Sequence, residues 1–200
     1  MSLFNQLKAL NENKDSIRIG LIGAGKFGTM FASQAIRLPG IHVVGIADLN
    51  IEACKSNLDL AGWKPEIYNA ISLDQALVSG ATCILENYTD LINEPRIDII
   101  IECTGNPVAA IDHIISAFDS GKNVISATVE ADALCGVSLA KKARDAGVIY
   151  SMAYGDQPAM VCELVDWARV CGFEVVAAGR GHKWNPEYRY STPDTIWDYW

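Results

Sequence analysis

Basic residues are scarce in this sequence, and long apolar runs and paired cysteines are absent. Each shortage closes off a class of function. Lys and Arg number 16 against 24 Asp and Glu, a formal charge of −8 at pH 7. Nucleic acids and anionic membrane surfaces reward basic patches, so neither is an expected partner. No apolar stretch approaches the length needed to span a bilayer. The opening MSLFNQLKALNENKD is too polar, and its apolar run too short, for a secretory signal. The six cysteines (Cys54, Cys83, Cys103, Cys135, Cys162, Cys171) include no C-x-x-C pair. Such a scattered set fits small, buried, reduced side chains in a cytoplasmic protein. No metal site is expected, and there is no internal repeat or low-complexity segment. What remains is 50% hydrophobic and 20% charged, ordinary for a soluble globular chain. Two hundred residues can bury the core of one domain, or of one domain and the beginning of another.

The apolar pattern alternates. A short amphipathic helix with Leu3, Leu7 and Leu10 on one face leads into the run Ile17 to Ile22. A glycine-rich turn follows, then a helical pattern with Phe27, Met30, Phe31, Ala35 and Leu38 at three- and four-residue spacing, stopped by Pro39-Gly40. Further β-type runs are Val43–Ala47, Thr82–Leu85, Ile97–Cys103, Asn123–Ala127 and Val148–Ala153. The clearest intervening helix carries Ile111, Ile114, Ile115 and Phe118 on one face. The stretch from Ala61 to Gly80 reads only as a helix with loops. Six apolar strands separated mostly by helices predict an α/β fold, a doubly wound parallel sheet covered on both faces.

After Gly155 the pattern changes. Pro158 suits the first turn of a helix, Val161, Leu164, Val165 and Ala168 its buried stripe, and Gly172 its end. Phe173 to Ala178 reads as one more strand. From Gly179 to Trp200 the chain is polar and aromatic and cannot form a core alone. The expected organisation is therefore a dinucleotide-binding domain over residues 1–155. Residues 156–200 would be a connecting helix, a strand and the start of a truncated substrate or dimerisation domain.

The strongest chemical signal is Gly23-Ala24-Gly25-Lys26-Phe27-Gly28. A lone G-x-G-x-x-G says little. This one follows a strand, opens a helix and has Asp48 twenty positions after its last glycine, at the end of the second strand. That is the setting of a Rossmann-type site for NAD or NADP. Gly23 permits the tight turn, Gly25 lets backbone approach the pyrophosphate, and Gly28 lets helix and strand pack closely. The helix N-terminus beginning at Lys26 and Phe27 faces the phosphate charge. Asp48 accepts from the adenine-ribose hydroxyls and leans the choice toward NAD. Basic neighbours such as Lys55 could still favour NADP.

A second constellation, Glu102-Cys103-Thr104-Gly105-Asn106-Pro107, ends the fourth strand, where ligands of such sheets bind. Thr104, Gly105 and Asn106 suit a loop under the nicotinamide half of the cofactor. The alternative is a purely structural strand-to-helix turn. Cys103 has no histidine placed by sequence to activate it, so a packed thiol is preferred to a nucleophile.

The runs IRIGLIGAGKFG, VVGIAD, IDIIIECTG and SGKNVISATVEADAL resemble the cofactor domain of homoserine dehydrogenase. GDQPAMVCELVDWA and FEVVAAGRGHKWNPEYRYSTPDT are similar to homoserine-dehydrogenase-like proteins that carry a C-terminal SAF domain. That group includes a deoxyxylulose-phosphate reductoisomerase-like enzyme using NADPH. The resemblance implies an NAD(P)-dependent oxidoreductase and a chain that is the N-terminal part of a longer protein. One departure matters. Homoserine dehydrogenases place Asn-Lys after the fifth strand, whereas this chain has Ser126-Ala127-Thr128-Val129-Glu130. Homoserine itself is therefore not the expected substrate. Glu130 either orients the carboxamide or a substrate hydroxyl, or caps a helix beginning near Asp132.

Two functions stay open. One is hydride transfer between NAD(P) and a small carbonyl or polyol, such as a sugar phosphate, with reductoisomerase-like activity as a variant. The other is a non-catalytic NAD(P)-sensing module. The enzyme is preferred because Glu130, Asp156 and Lys183 offer polar groups for a substrate oxygen. Lys183 is the favoured proton donor, set against a solvated loop lysine. A homo-oligomer is expected of the full-length protein.

Overall fold

Six parallel strands form one sheet in the order β3-β2-β1-β4-β5-β6. They are β1 (Ile17–Ile22), β2 (Ile41–Ala47), β3 (Cys83–Leu85), β4 (Ile99–Glu102), β5 (Asn123–Ser126) and β6 (Tyr150–Met152). The computed structural model describes residues 2–155, 157–179, 185–192, 194 and 195, with Gln157 and Pro158 described in backbone only. The chain divides into two compact units, Met1–Tyr154 and Gly155–Trp200.

In the first unit the helices are α1 (Leu3–Glu12), α2 (Lys26–Ala35), α3 (Ile51–Leu60), α4 (Leu73–Ser79), α5 (Tyr88–Asn93), α6 (Pro107–Asp119) and α7 (Val129–Ala146). A sheet whose strands are buried on both faces needs apolar side chains at successive positions. Gly20, Leu21 and Ile22 of β1 are all buried. On one face Leu21, Ile46 and Ile101 pack with Ala32 and Ala35 of α2 and Cys54 and Leu58 of α3. On the other, Val44, Ile100 and Val124 pack with residues of α4 to α7, including Leu91, Ile114, Phe118 and Leu139. Sequence reversal occurs between β1 and β4, the switch point where such sheets bind ligands. The register brings the strand ends level. Ile22 pairs with both Ala47 and Glu102, Ala47 with Leu85, Glu102 with Ser126, and Ser126 with Met152.

Several local expectations are corrected. The buried stripe of α2 is Gly28, Ala32 and Ala35, not Phe27 and Met30, which are exposed. Close approach of this helix to the sheet selects small residues for the inner face, with Phe31 half-buried at its edge. The helix ends at Ala35, ahead of Leu38 and Pro39. The stretch from Ala61 to Gly80 holds a 3-10 turn at Pro65–Ile67 and the short α4, whose N-cap Ser72 accepts the N–H of Gln75. Trp63 lies buried there and donates its indole N–H to the carbonyl of Ala32 at 2.9 Å. Cys54, Cys83 and Cys103 are buried and unpaired as expected, whereas Cys162 and Cys171 are exposed.

The second unit holds α8 (Gln157–Val170) and a 3-10 turn at Pro186–Tyr190. Val161, Val165 and Ala168 are half-buried on α8, but Leu164, expected in that stripe, is 61% exposed. Phe173–Ala178 is not a strand. A strand requires a hydrogen-bonded neighbour, and none of the described residues pairs with it, leaving Phe173 and Val176 exposed. Among the described residues no helix is long and apolar enough to cross a membrane.

Candidate functional site

At the level ends of β1, β2, β3 and β4 lies a cleft of about 380 Å³. Gly23, Gly25, Asp48, Glu86, Tyr88, Thr104, Asn106 and His113 are among the residues that line it.

The glycine loop has three distinct constraints. Gly23 has φ +95°, and a Cβ there would lie 2.9 Å from the carbonyl carbon of Cys103. The turn out of β1 thus presses on the end of β4. A Cβ on Gly28 would lie 2.1 Å from the carbonyl oxygen of Gly23, so helix and turn can pack only around glycine. A Cβ on Gly25 would meet nothing within 4 Å. Gly25 is also the N-cap of α2 and provides no side-chain partner for its first-turn N–H groups. These donors at the positive end of a helix, beside open space at the cleft wall, fit a dinucleotide pyrophosphate. Lys26 and Phe27, singled out in sequence, are exposed and lie off the lining, and Gly28 is buried behind it.

Ala24, between the glycines, is held from three sides. Its N–H donates to Asp48 Oδ2 at 2.8 Å, and its carbonyl accepts from Thr29 Oγ1 at 3.1 Å and Asn57 Nδ2 at 2.8 Å. The other oxygen of Asp48 accepts the N–H of Asn50 at 2.9 Å. Each carboxylate oxygen retains a second acceptor position, so Asp48 both braces the loop and faces the cleft. Lys55 is engaged with Glu52 at 2.8 Å within α3 and does not line the cleft.

Beyond β4 the loop is anchored on Glu102, which is wholly buried. Its Oε1 accepts the N–H of Thr104 at 3.1 Å and the Thr104 hydroxyl, and lies 3.5 Å from His113 Nδ1. Its Oε2 accepts the hydroxyl of Thr128, whose oxygen accepts the N–H of Gly105 at 3.1 Å. Burial pushes the carboxyl's pKa up, but the bonds from His113, Thr104 and Thr128 outweigh it and hold the group below the ordinary carboxylate value. Burial, reinforced by the Glu102 charge, drives the neighbouring Cys103 thiol far above the ordinary range, so it is a packed thiol. Asn106 accepts the N–H groups of Val108 and Ala109, both at 3.1 Å, and caps α6. Gly105 lies in this loop, off the cleft lining.

Glu130 is exposed in the first turn of α7 and is not among the lining residues. The alternative in which it caps a helix near Asp132 is corrected: α7 begins at Val129, with Thr128 at the N-cap. Asp156 and Lys183 lie outside the described residues. Sequence reasoning passed over Glu86, Tyr88 and His113, and left Glu102 without a role. The available signals were a charged residue closing an otherwise apolar strand and a histidine on the apolar face of α6.

A family model described as "Homoserine dehydrogenase, NAD binding domain" matches residues 19–152, and one described as "Oxidoreductase DRL, catalytic domain" matches residues 155–200. The chain is 34% identical over 71 residues to a homoserine dehydrogenase of Pseudomonas aeruginosa, covering 36% of this chain and 16% of that protein. Among solved structures it is similar to a homoserine dehydrogenase from Thiobacillus denitrificans, with a TM-score of 0.56 and 21% identity over 72% of this chain and 30% of the other. An NAD binding oxidoreductase from Klebsiella pneumoniae gives a TM-score of 0.53 and 18% identity over 78% and 39%. The chain therefore spans well under half the length of these relatives. The cofactor of this domain is NAD or NADP. With two thirds of its residues under the first of these family models, the chain belongs to the homoserine dehydrogenase NAD-binding domain family.

Proposed function

We propose that the full-length protein is an NAD(P)-dependent oxidoreductase acting on a small carbonyl or polyol, such as a sugar phosphate. The observation that carries this reading is the glycine loop at the switch point, with Gly25 bare toward the cleft and the N-terminus of α2 uncapped by any side chain. The likeness of residues 155–200 to an oxidoreductase catalytic domain supports chemistry beyond cofactor holding.

Bound cofactor supplies or accepts a hydride. This chain's residues would do the rest. Gly25 and the first turn of α2 would bind the pyrophosphate, and Asp48 the adenine ribose. Thr104 and Asn106 would border the nicotinamide half. Carbonyl reduction puts negative charge on the substrate oxygen, which a cationic donor stabilises and protonates. Lys183 is our choice for that donor, with Asp156 and Glu130 as further polar groups. Full-length protein should oxidise NADH or NADPH when offered an aldehyde, a keto-polyol or a phosphate ester of either. Cofactor binding without turnover across that panel would instead favour a sensing module. We further expect the full-length protein to form a homo-oligomer, which sedimentation would test.

A further inference from the structure

Glu102 closes a strand whose other residues are Ile99, Ile100 and Ile101, and its carboxylate is wholly buried. Burying an ion is costly even when it is well bonded. A neutral amide could accept at only one of its two ends, whereas both oxygens of Glu102 accept hydroxyls here, as an ionised carboxylate does. His113 stands between this carboxylate and the cleft. It is 8% exposed, lines the cleft, and has its ring centroid 4.2 Å from that of Tyr88 on α5. The ionisable residues on the lining are Asp48 from the end of β2, Glu86 beyond β3, Tyr88, Cys103 and His113. Among the described residues no Lys or Arg lines the cleft.

The oxidised and reduced dinucleotides differ by one positive charge on the nicotinamide ring. In sheets of this topology the two halves of the cofactor lie on either side of the switch point. Glu102 ends β4, the first strand of the second half. A charge in a low-dielectric interior acts over a longer distance than one in water. We propose that Glu102 is a redox-state selector, whose buried carboxylate makes the cleft favour the oxidised dinucleotide over the reduced one. The inference rests on the NAD(P) assignment of the cleft.

The test is the ratio of dissociation constants for NAD+ and NADH, and for NADP+ and NADPH, measured on full-length wild type and Glu102→Gln. The oxidised-to-reduced ratio should rise at least threefold in the variant. Glu102→Asp, which keeps the charge and disturbs the bonds, should weaken both forms while leaving the ratio near that of wild type. A merely structural residue would weaken both forms alike in either variant. Where Glu102→Gln does not fold, His113→Lys supplies a fixed cation beside the carboxylate and should raise the ratio in the same direction. Any added attraction for the pyrophosphate is common to both forms. An unchanged ratio in the folded variant overturns the proposal. A wild type that binds no dinucleotide would overturn the assignment of the cleft, and this inference with it.

Discussion

Asp48 accepts the backbone N–H of Ala24 at 2.8 Å, joining the end of β2 to the middle of the glycine loop. One carboxylate thus braces the glycine loop and lines the cleft, where Glu86 is a second acidic residue, and the proposed ribose position lies beside Asp48. A 2′-phosphate would meet both. The full-length protein is expected to bind NAD at least as tightly as NADP. Asp48→Ala should narrow or reverse that preference and, by loosening the loop, weaken both cofactors. Calorimetric titration with the two dinucleotides decides, and tighter NADP binding by the wild type would refute the charge argument.

Gly25 and Gly28 separate binding from folding. A Cβ at Gly25 meets nothing, so Gly25→Val should fold with little change in midpoint temperature. Its side chain would occupy the approach to the pyrophosphate and cost roughly 2–3 kcal/mol of cofactor affinity, the scale of an overpacked contact. A Cβ at Gly28 would strike the carbonyl of Gly23. Gly28→Ala should therefore lower stability itself, in thermal melts without cofactor. Unchanged binding by a folded Gly25→Val would remove the pyrophosphate site.

The same residues explain what sequence reading reached. Runs such as Ile19–Ile22 and Val43–Ala47 are apolar because a central parallel strand is buried on both faces, and that signal is local. The glycine spacing was legible with its strand and helix context. The inner face of α2 was legible at Ala35 and in part at Phe31, but Phe27 and Met30 turn outward because the contact with Gly23 at Gly28 draws the helix close to the sheet. Phe173–Ala178 has a strand's composition, but composition provides no partner. The bonds of Glu102 come from α6, the loop after β4 and the start of α7, separations that no local pattern encodes. His113 was hidden for the same reason, on a helix face that otherwise reads as core.

Lys183 was chosen from the chain alone, behind Gly179 and Gly181 and beside His182. In the full-length protein Lys183→Ala should lower turnover by about 10²-fold, as expected for loss of a general acid. Cofactor affinity should stay within a few-fold, because the proposed pyrophosphate site is the glycine loop. Steady-state kinetics with parallel cofactor titrations separate these effects. Normal turnover would show that the proton comes from elsewhere.

Glu102 also predicts how stability responds to acid. Its carboxyl is held below its ordinary value in the folded state, so the folded chain favours the ionised form relative to the unfolded one. The resulting stabilisation is fully present above the unfolded-state value, about 4.3 for a glutamate. It is lost as pH falls through the lower folded-state value, because the native state then has to take up a proton that the unfolded chain already holds. Glu94, whose carboxyl is lowered by its bonds to Arg96, adds a loss of the same sign. Glu102→Gln removes the first contribution and leaves the second. The variant should be less stable than wild type at pH 7, and the gap between them should narrow as pH falls below the unfolded-state value. Urea unfolding of both proteins across that range measures it. A gap that stays constant as pH falls would mean that Glu102 is not ionised in the folded state.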